Sequence, residues 1–500
     1  MKKRRKPMRI LIFDIDTLRP DHMGCYGYGR PTTPAMDEIA AEGVTFDNYY
    51  CPNAPCLPSR ASLISGQYGI HTGVLGHGGT AADMRLQGYD RSFTDNLSDN
   101  GLFTQFVRAG IHTVSFSTFA DRHSSWWFKC GFKESYDVGK KGGESAEEVT
   151  PLVLDWLDRK GADDDWMLHI HYWDPHTPYR APAEMGDPFK DTPLPEGHDW
   201  ITDEIFAEHR RHIGPHGANE INMWNDGVSH MFPRHPGKLE STADVKTFVD
   251  NYDTGILFTD NNVNQVIEKV KELGLYGDDL AIIITSDHGE NMGELGLYGE
   301  HGTACDATCR IPMIIKWPGC NAGSRVSGFH DNVDLLPTVR ELLGRENRLP
   351  KSYKYDGVSY AKSILNGENA GKDALVLSQC AHVCQRSARF DDYIYIRTIH
   401  GGYHLFEKEM LFNVKDDPHM LNNLASTFPD LCAKGAKIIL DWTDDMMKSS
   451  NYDIDPMWTV VREGGPFHSR GAFANYIKRL EGTDREFGIQ LLREMYPDME

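Results

Sequence analysis

The sequence predicts an α/β protein: a large mixed, mainly parallel sheet sandwiched by helices, then a smaller C-terminal α+β domain built on a short antiparallel sheet. Three observations predict it. Short runs rich in isoleucine and valine alternate with helical patterns, as expected of strands buried on both faces. Acid-bearing segments directly follow two of these runs, where open α/β sheets place their sites. After about Leu375 the pattern changes: Tyr393–Arg397 and Tyr403–Phe406 flank Gly401-Gly402 and read as a hairpin.

The predicted core strands are Ile10–Phe13, His112–Phe116, Met167–His171 and Leu280–Thr285. Before the third, Val149, Leu152, Val153, Trp156 and Leu157 recur at helical spacing and form one apolar stripe. A second amphipathic helix carries Tyr252, Ile256, Val263, Val266, Ile267 and Val270 into the fourth strand. Between Arg180 and about Val245 the periodicity disappears. His198, His209, His212, His216, His230 and His235 crowd there among prolines and charges, and so long a loop is expected to shape a pocket. Ile438–Met447 reads as a helix. The expected division is a catalytic domain over 1–375, with 180–245 as an insertion, and a small α+β domain over 376–500.

A net charge of −21 argues against nucleic-acid binding, because a phosphate backbone would be repelled, although a cleft can still be locally positive. No run approaches the roughly 18 apolar residues of a membrane helix, so no membrane partner is expected. The basic start precedes an apolar run too short for a signal-peptide core, and the expected location is cytoplasmic. Ten cysteines in this context are expected to be free thiols.

Three segments carry chemistry. Asp14, Asp16 and Asp21 lie in or just after the first strand, and Asp287-His288 follows the fourth. Carboxylates leaving neighbouring strands converge, and their repulsion calls for protons or a hard divalent cation; otherwise such residues cap the next helix. The third segment is Cys51 to Gln67, with Cys56-Leu-Pro58-Ser59-Arg60 at its centre. A cysteine at the mouth of a helix is expected to be acidified by the helix dipole, and Arg60 offers a forked cation for an oxyanion. A buried structural cysteine is the alternative.

The full spacing Cys56-x-Pro-Ser-Arg60, followed by Ile64-Ser65-Gly66, resembles the formylglycine-dependent sulfatases of the alkaline-phosphatase superfamily. The resemblance extends through Asp16-Thr-Leu-Arg-Pro-Asp-His-Met-Gly24, Thr33-Pro34 with Asp37, Asp174-Pro-His176-Thr-Pro-Tyr179, Ser286-Asp-His-Gly289 and Asn423-Leu-Ala425. It implies a sulfuric ester hydrolase whose Cys56 is oxidised to Cα-formylglycine by a formylglycine-generating enzyme. The hydrated aldehyde then attacks sulfur. By resemblance Asp16, Cys56, Asp287 and His288 bind one divalent metal, Ca²⁺ in the first instance with Mn²⁺ or Mg²⁺ as alternatives. Arg60 holds the nucleophile, and His176 binds or protonates the ester oxygen.

Departures from the pattern matter. Thr118 and Ala120 stand where many members carry a lysine and a histidine, with His123 nearby to fill in; a second family lysine is replaced at Tyr298-Gly-Glu300-His301. His301 is therefore the expected general acid to the leaving group, and His77, Thr118 and His123 are expected to bind substrate. The substrate is a small-molecule or carbohydrate sulfate ester. A phosphonate monoester or phosphodiester hydrolase with the same nucleophile, or a non-catalytic binding protein on the same fold, are the alternatives. A homo-oligomer is compatible with the sequence.

Overall fold

The computed structural model describes residues 8–86, 95–222, 227–228, 230–344, 353–497 and 499. Its main sheet has eight strands: β1 (Arg9–Ile15), β2 (Val44–Tyr50), β3 (His112–Phe116), β4 (Glu134–Tyr136), β5 (Trp166–Tyr172), β6 (Leu280–Thr285), β7 (Met313–Lys316) and β8 (Ser324–Asp331). Their order is β8-β2-β7-β6-β1-β5-β3-β4. All neighbours are parallel except β7, which runs antiparallel to both β2 and β6. The four strands expected from the isoleucine-valine runs are all present and form the centre of the sheet.

The continuous apolar character of β1 follows from its position. Ile10 and Ile12 face one core cluster, while Leu11, Phe13 and Ile15 face the other. Both faces are covered by helices, so the alternation of a half-exposed strand never develops. One face packs against the helices Ala146–Lys160 and Thr242–Glu272. The long helix starts at Ser241, whose hydroxyl accepts from the Asp244 amide while the Asp244 carboxylate accepts from the Ser241 amide.

A second sheet contains β9 (Ala374–Gln379), β10 (Cys384–Phe390), β11 (Tyr393–His400) and β12 (Glu409–Asn413). The two residues Asn53–Ala54 add to its edge, parallel to β9. The small sheet is thereby bonded to the segment immediately before Cys56. The helix Pro429–Ser449 contains the expected helical stretch Ile438–Met447.

Two expectations are corrected. β11 pairs with β10, across the Asp391–Asp392 turn, and with β12, and Tyr403–Phe406 is not a strand. Tyr403 takes a left-handed φ of 75°, and the Leu405 amide bonds to the Ile213 carbonyl instead of a ladder partner. The segment 180–245 is likewise not wholly irregular, because Thr202 caps a helix over Asp203–Arg210. All ten cysteines are free. Among the described residues no helix is long and apolar enough to cross a membrane.

Candidate active site

The register of the central strands assembles the site. Asp14 lies opposite His171 of β5 and Thr285 of β6. Just past these ends come Asp16 and the pair Asp287-His288, so both acid-bearing segments leave adjacent strands on the same edge. Thr17 has a left-handed φ of 57°. This turn lets its amide donate to Asp287 Oδ1 at 3.3 Å and its carbonyl accept from the Tyr252 hydroxyl at 2.6 Å. Gly289 is required beside His288, since a Cβ there would lie 2.1 Å from the Ala307 carbonyl oxygen.

Cys56 opens a helix, Cys56–Ser65, that is buried along its whole length. Pro58 lies in the first turn, where no intrahelical acceptor exists for an amide proton. Ser59 Oγ donates to the Asp287 carbonyl at 2.6 Å, and Ser62 Oγ to Asn53 Oδ1 at 3.0 Å. These hydroxyls tie the helix to the second acid segment and to the edge of the small sheet. Gly66 ends it with a left-handed φ of 66°.

Arg60 is 1% exposed and lies among carboxylates. It bonds Asp14 twice at 3.0 Å, Asp16 at 3.2 Å and Asp287 more closely, and it also reaches His171 Nε2 at 2.8 Å. Arg60 therefore reaches the nucleophile's surroundings through these carboxylates. Its donors go to three buried carboxylates, which are far stronger acceptors than a thiol. Asp14 is correspondingly a partner of Arg60 and of His169, at 3.2 Å.

Three carboxylates against one guanidinium leave two buried negative charges uncompensated. Asp16 Oδ1 and His288 Nε2 are both buried without a hydrogen-bond partner. The His288 Nδ1 bond to the Gly289 carbonyl, 2.8 Å, directs Nε2 toward Asp16 Oδ1 at 3.6 Å and Asp287 Oδ2 at 3.4 Å. Cys56, Asp287 and His288 offer ligand atoms within 4.8 Å of one another. The charge and the unpartnered donor atoms fit a divalent cation.

Cys56 is 2% exposed. Burial, then the charges of Asp16 and Asp287, hold its thiol well above the ordinary range. This reverses the expected acidification: the carboxylates and the lost water outweigh the helix dipole. His77 Nε2 lies 3.3 Å and His123 Nε2 3.5 Å from Cys56 Sγ. His176 and His301 approach from the metal side, with His288 and His301 ring centres 4.2 Å apart and those of His176 and His301 5.2 Å apart. Burial holds His77 and His176 below the ordinary imidazole range, and His123 at about 3. Burial raises Asp287 to about 6, against the opposing charge of Arg60.

Beyond Cys56 opens a cavity of about 600 Å³. One wall carries His77, His176, His301 and Arg122; another carries Ile221, Val228 and Phe232. Thr118 is not part of it. Its hydroxyl, expected to bind substrate, donates to Glu144 and accepts from the Gly142 amide at 2.9 Å. Trp127 is buried and Trp126 exposed; neither lines the cavity. Sequence reasoning gave no role to His382 or His468, which line it together with His216. The histidine-rich stretch containing His216 was a signal. His382 and His468 sit in no recognisable spacing.

A family model described as Sulfatase matches residues 9–345. The N-acetylglucosamine-6-O-sulfatase of Bacteroides thetaiotaomicron is 24% identical, covering 93% of this chain and 90% of its own. Among solved structures, BT4656 in complex with its substrate D-glucosamine-2-N,6-O-disulfate superposes with a TM-score of 0.67 at 18% identity, covering 89% of this chain and 99% of that one. The phosphonate monoester hydrolase of Agrobacterium radiobacter gives a TM-score of 0.66 at 18% identity, with coverages of 88% and 96%.

Proposed function

This chain belongs to the sulfatase family and is a sulfuric ester hydrolase, and we propose that it removes sulfate from a carbohydrate by means of an oxidised residue 56 and one divalent cation. The observation that carries this reading is the placement of Cys56. It lies at the base of the cavity between two imidazoles and an unpartnered carboxylate–imidazole pair. A thiol kept protonated by burial is a poor nucleophile. Conversion to formylglycine by a maturing enzyme would supply a hydrated aldehyde as nucleophile in its place. Asp16, Asp287 and His288, with residue 56, would hold the cation, which supplies positive charge to the nucleophile and to the ester oxygens. Their oxygen-rich set suits Ca²⁺, with Mn²⁺ or Mg²⁺ as alternatives.

The remaining roles belong to the chain itself. Arg60 fixes Asp14, Asp16 and Asp287 in one arrangement and so acts on the nucleophile through them. His77 and His123, within hydrogen-bond reach of the residue 56 side chain, accept and return its proton. His301 is held by Glu300 through Nε2 at 2.8 Å. Burial lowers the His301 pKa while the Glu300 charge opposes that shift, and the ring stands where it can pass a proton to the leaving oxygen. His176 orients the ester. The apolar wall of Ile221, Val228 and Phe232 fits the face of a sugar ring.

One observation keeps a second reading. The cavity lining among the described residues contains no lysine, and Arg122 is its single arginine. Such a pocket suits a monoanionic ester, which describes a phosphonate monoester as well as a sulfate. Turnover of nitrophenyl sulfate against nitrophenyl phenylphosphonate separates them. Sulfate is expected to have the higher kcat/KM, with sulfated amino sugars better still; preference for the phosphonate would overturn the assignment. Mass spectrometry of the peptide containing residue 56 tests the oxidation.

A further inference from the structure

Also lining the cavity, and separated from His288 by the His301 ring, His216, Glu300 and His382 offer ligand atoms that all lie within 4.8 Å of one another. They come from three distant parts of the chain: the 180–245 segment, the strand Tyr298–Glu300, and the loop between β9 and β10. His216 is 4% and His382 5% exposed. Their Nε2 atoms stand 3.3 and 3.4 Å from Glu300 oxygens, yet neither nitrogen meets any partner in hydrogen-bonding geometry.

The surroundings leave His216 Nε2 as an electron-pair donor and hold the His382 ring in place. His216 Nδ1 bonds the Ile221 carbonyl at 2.9 Å, which places the proton on Nδ1 and leaves Nε2 bare. The His382 loop is held by Gln379, whose Oε1 accepts from the amides of Ala381, His382 and Val383 at 3.0–3.2 Å and whose Nε2 donates to the His301 carbonyl at 2.9 Å. His468 stacks on the His382 ring with centres 4.3 Å apart. Glu300 Oε1 already accepts from His301, which leaves Oε2 for a further partner. Bare imidazole nitrogens aimed at a buried carboxylate are repelled by it unless a proton or a metal cation lies between them.

We propose that His216, Glu300 and His382 form a second metal site, taking a zinc-class divalent cation. Two imidazoles and one carboxylate, with a cavity side left open, are the ligand set of an open zinc centre. The cation would restore, at Glu300, the positive charge that lysine supplies in the sulfatases this sequence resembles. Its use in holding an anionic substrate rests on the sulfatase reading above; the site itself does not.

The test uses the full chain carrying Asp287→Ala, which disarms the other centre. After chelation it is titrated with Zn²⁺ alone, and bound metal is counted by mass spectrometry after gel filtration. One equivalent is expected, with a rise in Tm, and Co²⁺ in its place should give the visible absorption of a low-coordinate site. Adding His216→Ala and His382→Ala should weaken uptake on the order of 100-fold or more. Should that protein fail to fold, Glu300→Gln in the Asp287→Ala background keeps the shape, removes the charge and should lose the Tm rise. Uptake unchanged by these substitutions, or zinc wholly absent from Asp287→Ala, overturns the site. Absence of sulfate hydrolysis in the unsubstituted chain, with residue 56 oxidised and zinc uptake intact, would count against the functional reading and not against this one.

Discussion

At the scale of single residues, the site is governed by which acceptor a buried donor finds. Arg60 illustrates it: a motif arginine next to a nucleophile bonds not to the thiol but to Asp14, Asp16 and Asp287. Thr118 is the complementary case. It was expected to bind substrate, but its hydroxyl is used by Glu144 and Gly142. Thr118→Val is therefore expected to destabilise the fold by about 1–3 kcal/mol, the cost of leaving a buried carboxylate short of a donor. KM should stay unchanged. A KM that rises while Tm holds would restore Thr118 to the substrate contacts.

At the scale of elements, the nucleophile helix is positioned by polar side chains more than by an apolar stripe, since every face is buried and Ser59 and Ser62 supply the direction. The short helix Gly69–Thr72 that follows is anchored differently. His71 Nδ1 lies 2.8 Å from Asp356, and Nε2 bonds the Met446 carbonyl of the Pro429–Ser449 helix at 2.9 Å. Burial opposes a charge on His71, but the Asp356 hydrogen bond and charge outweigh it and raise its pKa. A raised imidazole pKa stabilises the fold fully below the unfolded value, near 6.5, and the effect is lost as pH rises through the folded value. His71→Gln should cost about 1–2 kcal/mol at about pH 6 and progressively less toward about pH 8.5. Urea unfolding across that range measures it; a deficit that grows with pH would refute the assignment.

At the scale of the whole molecule, the C-terminal helices close the site from outside the main sheet. Glu220, fully buried in the 180–245 segment, pairs with Arg485 at 2.6 and 2.8 Å and with the Tyr476 hydroxyl at 3.4 Å. The same region delivers His468, whose Nε2 lies 3.0 Å from His77 Nδ1. Arg485→Ala leaves a buried carboxylate short of its principal partner and should cost about 3–5 kcal/mol, read as a fall in Tm. His468→Ala should leave Tm nearly unchanged but lower kcat about tenfold, because His77 loses the contact that orients it toward residue 56. An unaltered kcat would place His468 outside the reaction.

What was legible in the sequence is what local spacing can encode. Strand runs buried on both faces, acids immediately after strands, and the Cys56–Arg60 motif each occupy a few consecutive residues, so their geometry follows from the strand and helix they sit on. The convergence of Asp16 with Asp287 and His288 was readable for that reason, whereas Cys56, His176 and His301 were joined to them by the family resemblance. What was not legible lies where the chain chooses among partners distant in sequence: Arg60 among carboxylates, Thr118 with Glu144, Tyr403 turning away from a ladder. The grouping of His216, Glu300, His382 and His468 belongs to the same class. No spacing in the chain relates these residues, and only the packing of the 180–245 segment and the C-terminal tail against the sheet edge brings their imidazoles together.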